Sequence, residues 1–188
     1  MKVISIFGGP RKKGNTATVL GWVEEELKNL DHDVDRVNVV DYKIAGCLGC
    51  HRCQGVLDEP GCVQKDDALD IFKRWMGADA AILASPQFDW SFPSQLKALL
   101  DRTFCLIKAF GGSGYKSLLE GEKIALLLTC AGPKEGNADL VVEQFNRIAS
   151  YGRMVPVVDL VVPFCSTPDK LGEEAKSAAK AMAARIAG

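Results

Sequence analysis

The sequence has little net charge, few aromatic residues and no long apolar run, and each shortage argues against a class of function. The formal net charge is −1, so no excess of lysine and arginine points to a nucleic-acid partner. Aromatic residues make up only 7% of the chain, which argues against a surface on which bases stack. No apolar stretch reaches the ~20 residues that a membrane span needs. We therefore expect neither a nucleic-acid partner nor a membrane association.

Targeting signals and catalytic side chains are also scarce. Residues 1–7 run directly into strand-like sequence, without the charged, apolar and small-residue regions of a signal peptide, so we expect a cytoplasmic protein. The two histidines, His32 and His51, have no evident nucleophile partner. The sequence therefore offers no convincing Ser/His/Asp set, and we expect no side chain to act as a general acid or base.

Strand-like and helix-like segments alternate five times along the 188 residues, which are enough for one domain. This order predicts a parallel sheet with helices on both faces, in an α/β, flavodoxin-like three-layer sandwich with strand order 2-1-3-4-5. Ligands of such sheets bind at the carboxyl ends of strands 1 and 3. Strands are predicted at 2–7, 34–40, 79–84, 123–129 and 155–162, helices at 16–30, 66–76, 93–105, 137–150 and 173–187, and a flexible loop at 109–121, which holds Gly111, Gly112, Gly114 and Gly121.

The segment after the first strand has the composition of a phosphate-binding loop. Residues 8–16 read Gly-Gly-Pro-Arg-Lys-Lys-Gly-Asn-Thr. Glycines let backbone N–H groups approach a ligand, an arginine can clamp phosphate oxygens, and a helix that follows offers its positive end. Asn15 and Thr16 are good candidates to cap that helix. The predicted phosphate ligands are Gly9, Pro10, Arg11, Gly14, Asn15 and Thr16.

Two other phosphate motifs fit this segment less well. A dinucleotide fingerprint requires Gly-x-Gly-x-x-Gly, and the spacing around Gly9 and Pro10 fails. A nucleoside-triphosphate loop requires lysine where this chain has Asn15. A plain glycine turn that feeds a helix remains an alternative. A terminal phosphate monoester is the ligand that these residues suit best.

Two further loops follow strands that should end at the same edge of the sheet. The loop after the third predicted strand is rich in aromatic residues and suits a flat heteroaromatic ring, although its aromatics could instead pack the loop or a subunit contact. The loop after the fourth has small residues that allow close backbone approach. The candidate ring contacts are Ser85, Pro86, Gln87, Phe88, Asp89, Trp90, Thr129, Ala131 and Gly132.

These segments resemble those of the NADPH-dependent FMN reductase family. Residues 8–16 are similar to its Gly-Ser-Pro-Arg-x-x-Gly-Asn-Thr loop, with Gly9 in place of serine. Residues 85–91 resemble its Ser-Pro-Val-Tyr loop, with Gln87 and Phe88 in place of Val-Tyr, and residues 96–102 its Leu-Lys-x-x-x-Asp-Arg helix. The resemblance implies FMN as cofactor and a homodimer or homotetramer with the flavin near the interface.

Four of the seven cysteines crowd into an insertion at about residues 44–65 of the single FMN-binding domain predicted for residues 1–188. Their C-x2-C-x2-C-x8-C pattern could supply a [4Fe-4S] cluster. Within the wider family, this region resembles the iron–sulfur flavoproteins, although related flavoproteins keep a similar segment without a cluster. A structural zinc and a cysteine-rich loop without metal stay open as alternatives. The candidate ligands are Cys47, Cys50, Cys53 and Cys62.

The resemblance implies an FMN-dependent oxidoreductase that moves electrons between NAD(P)H, or a small ferredoxin-like carrier, and a flavin- or quinone-type acceptor. The chemistry would lie in the flavin rather than in a catalytic side chain. The alternative is a non-catalytic flavin-binding subunit that senses redox state or carries electrons. Among the remaining charged residues, we expect Asp101 and Arg102 to form an ion pair at the end of a helix, and Lys12 and Lys13 to be solvated.

Overall fold

A computed structural model describes residues 1–110 and 114–188, and its centre is a parallel five-stranded sheet. The sheet has the order β2-β1-β3-β6-β7, and every pair of neighbouring strands is parallel. This is the order 2-1-3-4-5 of the flavodoxin-like fold, as the alternation of elements predicted. The strands are β1 (Lys2–Phe7), β2 (Asp33–Asn38), β3 (Ala80–Pro86), β4 (Ile107–Lys108), β5 (Lys116–Ser117), β6 (Lys123–Thr129) and β7 (Val155–Val162).

Helices cover both faces of this sheet and bury it in two apolar cores. The helices are α1 (Asn15–Asn29), α2 (Ala68–Met76), α3 (Ser94–Arg102), α4 (Asp139–Tyr151) and α5 (Glu173–Ala187). Side chains of α1 and α5 pack on one face, and those of α2, α3 and α4 pack on the other. Successive residues of β1 alternate between the two cores, since Val3 points into the first and Ile4 into the second. Burial on both faces explains why the central strands are continuously apolar.

The structure differs from the sequence-based expectations mainly at the ends of elements. Asn15 and Thr16 do not cap α1: Gly14 is the N-cap residue, and Asn15 is the first residue of the helix. The third predicted helix ends at Arg102 and continues as a 3₁₀ turn at Thr103–Leu106. A tight, partly non-helical turn at Lys134–Ala138 precedes α4.

The predicted loop at 109–121 is flanked and partly replaced by a small hairpin. β4 and β5 pair antiparallel, Ile107 with Ser117 and Lys108 with Lys116. Gly114 and Gly121 lie among the described residues, whereas Gly111 and Gly112 lie outside them. In the described part of the chain, no helix has both the length and the apolar character needed to cross a membrane.

Candidate functional site

Three of the predicted loops meet at the carboxyl edge of the sheet. The backbone N–H of Gly8, after β1, donates to Ala84 O of β3 at 2.8 Å, and Gln87 N, after β3, donates to Thr129 O of β6 at 2.8 Å. Strand order brings the ends of β1, β3 and β6 side by side because β1 and β3 are neighbours and β3 and β6 are neighbours. The loops therefore share the edge at which open α/β sheets bind ligands.

The phosphate-loop residues surround a cavity of about 40 Å³ at the start of α1. Thr16 Oγ1 lies 2.6 Å from Thr129 Oγ1, which ties the start of the helix to the end of β6. Asn15 Nδ2 donates to Ser166 O at 3.1 Å, while its buried Oδ1 has no partner within residues 1–110 and 114–188. The cavity is lined by Phe7, Gly9, Pro10, Arg11, Gly14, Asn15, Thr16, Pro86, Phe88 and Thr129.

Two glycines of this loop are required by packing. A Cβ atom on Gly8 would lie 2.5 Å from Leu96 Cβ, and one on Gly9 would lie 2.6 Å from the Phe7 ring. Neither glycine has a positive φ, so the reason is space rather than backbone conformation. The loop lies directly on the sheet and on α3, and its backbone is held where an anion at the N-terminus of α1 would meet it.

The cations of the loop divide into two kinds. Arg11 is exposed and lines the cavity, where its guanidinium can reach a phosphate. Lys12, expected to be solvated, donates to Asp41 Oδ1 at 2.6 Å, and this hydrogen bond lowers the pKa of the Asp41 carboxyl. Lys13 is exposed, as expected. Arg11 is therefore the cation that the loop offers to a ligand.

The aromatic loop after β3 forms a tight turn. Phe88 N donates to Ser91 O at 3.0 Å, and Ser91 N donates to Phe88 O at 2.9 Å. The two central residues, Asp89 and Trp90, have φ of 50° and 55°, a region that bulky residues rarely adopt. The turn leaves the Trp90 and Phe88 side chains about half exposed, beside the cavities rather than in the core.

A second, open cavity of about 280 Å³ lies beside this turn. Gln87 Nε2 donates to Asn137 Oδ1 at 3.0 Å, while the buried Gln87 Oε1 has no partner in the part of the chain that the structure describes. Asn137 was missed by sequence reasoning, because nothing near it in sequence marks it as a site residue. The lining residues are Gln87, Asp89, Trp90, Cys130, Ala131, Gly132 and Asn137.

Ser85 is the one predicted contact that lines neither cavity. It is fully buried, and its hydroxyl donates to Pro86 O at 2.8 Å. The other predicted residues of the three loops line one cavity or the other. A phosphate-sized cavity next to a wider, aromatic-edged one suits a molecule with a phosphate at one end and a flat ring at the other. The buried amide oxygens of Asn15 and Gln87 have no partner among the described residues. Both are acceptors, so the hydroxyl or N–H groups of such a molecule would satisfy them, and its phosphate would not.

The four clustered cysteines border a third cavity. All are free thiols; Cys47 and Cys50 are exposed, Cys62 is half-buried and Cys53 is buried. A fifth, Cys105, lines the same cavity, and burial beside Cys62 and Cys53 raises the pKa of its thiol to about 12. Only the folded chain shows that the end of α3 carries Cys105 to the cysteine segment.

The cysteine segment has little regular structure, but hydrogen bonds fix it at several points. The buried Lys108 ammonium donates to Cys53 O at 3.3 Å and to Pro60 O at 3.1 Å. Gln54 Nε2 donates to Ile107 O at 2.8 Å. Both contacts tie residues 53–60 to β4, so the hairpin positions Cys53 and the segment that leads to Cys62.

The expected pair between Asp101 and Arg102 does not form. Asp101 accepts from Lys97 at 2.5 Å, one helical turn away on the exposed side of α3. Arg102 lies on a different side of α3 and pairs with Asp66 at 2.7 Å, next to the cysteine segment. Consecutive helical residues point about 100° apart, which explains why neighbours in sequence choose different partners.

Within residues 1–110 and 114–188, no group of three or more Cys, His, Asp or Glu side chains is arranged so that it could hold a metal ion. The positions of the four cysteines therefore do not suit zinc, since a zinc ion needs all of its sulfur ligands at about 2.3 Å from one point. A cubane differs, because each thiolate binds a different iron and the four sulfurs stand further apart.

Comparison with known proteins agrees with this geometry. An "Iron-sulfur flavoprotein" of Archaeoglobus fulgidus is 31% identical over 187 residues, which cover 100% of this chain and 79% of that protein. Another, from Methanosarcina thermophila, is 28% identical over 159 residues, covering 85% and 78%. The structure of an FMN-dependent NADH-azoreductase from Bacillus anthracis in complex with FMN superposes with a TM-score of 0.76 at 14% identity, covering 100% of both chains, a likeness of fold.

The family profile extends over both the phosphate loop and the aromatic turn. The "NADPH-dependent FMN reductase" profile matches residues 1–169, which include every residue of the three loops. Fold, sequence and the placement of the loops therefore agree that the chain belongs to the NADPH-dependent FMN reductase family, a family of flavin-dependent oxidoreductases.

Proposed function

We propose that the protein binds FMN at the carboxyl edge of the sheet and transfers electrons between NAD(P)H, or a small ferredoxin-like carrier, and a flavin- or quinone-type acceptor. The observation that carries this proposal is the pair of neighbouring cavities, one lined by the phosphate loop with Arg11 and the other lined by the aromatic turn. Bound FMN supplies the redox chemistry through its ring. The protein supplies binding, orientation and access.

The residues divide these tasks between the two cavities. Backbone N–H groups at the start of α1, the Thr16 hydroxyl and the Arg11 guanidinium would hold the phosphate. Gln87 and the small residues Ala131 and Gly132 would meet the polar edge of the ring, since they allow close backbone approach. The exposed ring of Trp90 at the rim would cover the flavin or the second substrate.

We further propose that Cys47, Cys50, Cys53 and Cys62 hold a [4Fe-4S] cluster. The donor set fits, because four free thiols border one cavity and the hairpin fixes the segment that carries Cys53 and leads to Cys62. Two buried cations, Arg102 and Lys108, stand beside these cysteines and would offset the negative charge of four thiolates. Names of relatives such as "Iron-sulfur flavoprotein" support the same assignment.

The remaining proposals concern the cellular compartment and the oligomeric state. We propose a cytoplasmic homodimer or homotetramer, with the aromatic turn of residues 88–91 near the interface. Exposed Phe88 and Trp90 support this, because large apolar side chains at a site rim are typical of surfaces that a partner covers. Sedimentation at several protein concentrations would test it, and a monomer throughout would contradict it.

Anaerobic reduction of the FMN-loaded protein tests the electron-transfer proposal. NADPH, NADH and reduced ferredoxin are mixed separately with the protein, and the loss of the flavin absorbance near 450 nm is followed. We expect at least one donor to bleach the flavin much faster than it bleaches free FMN, with turnover when a quinone is added. Bound flavin that reacts no faster than free FMN with every donor would instead support a non-catalytic binding subunit.

A further inference from the structure

Arg102 is a buried cation whose position the flavin site does not explain. Its side chain is 1% exposed at the end of α3. Nη1 donates to Asp66 Oδ2 at 2.7 Å and Nη2 to Asp66 Oδ1 at 3.0 Å, so the two groups form a bidentate pair. Nη1 also donates to Ala45 O at 3.0 Å, two residues before Cys47. The guanidinium is therefore fixed in orientation against the cysteine segment.

The third nitrogen of this guanidinium, Nε, differs from the other two. Nε of Arg102 is buried and makes no hydrogen bond to the described residues. The side chain lines the cavity that Cys47, Cys50, Cys53 and Cys62 share. Although burial lowers it, the pKa of Arg102 is raised overall by Asp66 and by the neighbouring Cys62 thiol. A buried donor of this kind without a partner is rare in proteins and calls for an explanation, such as a bound water, ion or ligand.

We propose that Arg102 is a positioning residue that stabilises the negative charge of a cluster held by the four cysteines and thereby raises its reduction potential. Its Nε–H would donate to the Cys62 thiolate or to a sulfide of the cluster. Reduction adds one electron and no proton, so a fixed positive neighbour favours the reduced state. Hydrogen bonds to sulfur and net charge are among the factors that set such potentials. This inference rests on the proposed cluster.

The negative charge of Asp66 partly neutralises the positive charge of Arg102 near the cysteines. Its carboxylate is paired with Arg102 and also accepts from Ala45 N at 2.9 Å. Although burial opposes it, the Arg102 hydrogen bond and the Ala45 N–H lower the pKa of Asp66, so its charge is retained. Removing the Asp66 charge while leaving Arg102 in place should therefore raise the reduction potential of the cluster. Removing the hydrogen bond from Arg102 should lower it.

The test is a redox titration of three variants. Arg102→Lys keeps a positive charge but loses the Nε–H donor. Asp66→Asn keeps the shape and removes the compensating negative charge. Asp101→Asn makes the same chemical change on the exposed side of α3, where the carboxylate pairs with Lys97, and serves as the matched control. Each protein is purified anaerobically, its iron is counted, and the cluster is titrated with dithionite and followed by electron paramagnetic resonance.

We expect Arg102→Lys to lower the ratio of reduced to oxidised cluster at a fixed solution potential by about tenfold. For a one-electron couple, this corresponds to a fall in the reduction potential of about 59 mV. Asp66→Asn should raise that ratio, and Asp101→Asn should leave it unchanged. A purely structural role would not produce shifts of opposite sign. Potentials of Arg102→Lys and Asp66→Asn equal to that of the wild type would overturn the inference. Wild-type protein without iron would instead refute the cluster itself.

Discussion

At the scale of single residues, the phosphate loop is shaped by space as much as by its ligand. Gly9 stands where the family loop has serine, and the structure supplies a reason: a Cβ atom there would lie 2.6 Å from the Phe7 ring and 3.2 Å from Pro86. Gly14, five residues later, has room, since its nearest neighbour would be Arg11 O at 3.4 Å. The two glycines should therefore respond differently to the same substitution.

We expect Gly9→Ser to lower the free energy of unfolding by about 1–3 kcal/mol, because the side chain overpacks the contact with Phe7. Gly14→Ser should be neutral or stabilising, because serine is a preferred N-cap residue and fits the observed backbone. Urea unfolding of both variants checks this. Equal stability of Gly9→Ser and wild type would show that Phe7 moves aside without cost.

Glu122 is a half-buried residue immediately before β6, at the amino-terminal ends of the strands, and its Oε1 atom is buried. Burial raises the pKa of Glu122 from its ordinary value of 4.5 to about 8, although the nearby Trp75 indole opposes the shift. The folded protein therefore binds this proton more tightly than the unfolded chain does. The stabilising contribution is complete below about pH 4.5, falls as the pH rises towards about 8, and is lost above that.

We expect Glu122→Gln to remove this pH dependence and to be more stable than wild type by about 1–3 kcal/mol at about pH 8. Near pH 5 the two proteins should differ much less. Glu120→Gln, at an exposed carboxylate that pairs with Arg153, is the control and should keep the wild-type slope. The measurement is urea unfolding across this pH range, and an unchanged slope in Glu122→Gln would contradict the assignment.

At the scale of elements, the aromatic turn stores backbone strain at the rim of the ring cavity. Asp89 and Trp90 occupy the two central positions, both with positive φ, where a turn of this shape usually has Asn-Gly. Non-glycine residues in such conformations cost about 1–3 kcal/mol each. Strain of this kind persists where the side chain has a task that glycine could not perform.

We expect Trp90→Gly to raise the free energy of unfolding by about 1 kcal/mol and to weaken flavin binding or raise the KM for the acceptor. Trp90→Leu removes the ring but keeps the strained backbone, so it should lose function without gaining stability. Thermal unfolding and steady-state kinetics of both variants separate the two effects. Full activity in Trp90→Gly would show that the indole has no role at the rim.

The alternation of strands and helices was predictable from sequence because buried parallel strands are continuously apolar and their helices are amphipathic. The bounds of β7 and α5 agree with the prediction to the residue. Local pattern carries no such signal for β4 and β5, which have two residues each and depend on tertiary contact. The N-cap residue Gly14 was missed because Asn15 and Thr16 have the higher capping propensity. In the structure, the side chain of Asn15 contacts Ser166 and that of Thr16 contacts Thr129, so neither caps the helix.

Some residues of the candidate site were likewise predictable from the sequence, and others were not. Its loops were predictable because the fold places ligands at the ends of β1, β3 and β6. Asn137, Cys105 and Arg102 were not predictable as site residues, since each reaches its site through the packing of a helix end or a distant turn. Ser85 matched a family motif, yet its side chain is turned back to the Pro86 carbonyl.

At the scale of the whole molecule, one sheet supports two neighbouring groups of functional side chains. The carboxyl edge carries the paired cavities, and the hairpin of β4 and β5 with the end of α3 holds the cysteine segment. The fold thus holds the proposed flavin site and the proposed cluster site within a single chain. Electron transfer between two cofactors would require such rigid placement.

The most direct measurement is a titration of the flavin-free protein with FMN and, separately, with riboflavin, which lacks the phosphate. We predict one FMN per chain, bound at least about tenfold more tightly than riboflavin, because charge-assisted hydrogen bonds to the phosphate add about 1.5–3 kcal/mol. Arg11→Met should weaken FMN binding and leave riboflavin binding unchanged. No flavin binding, or equal affinity for the two flavins, would contradict the assignment of residues 8–16 as the phosphate site.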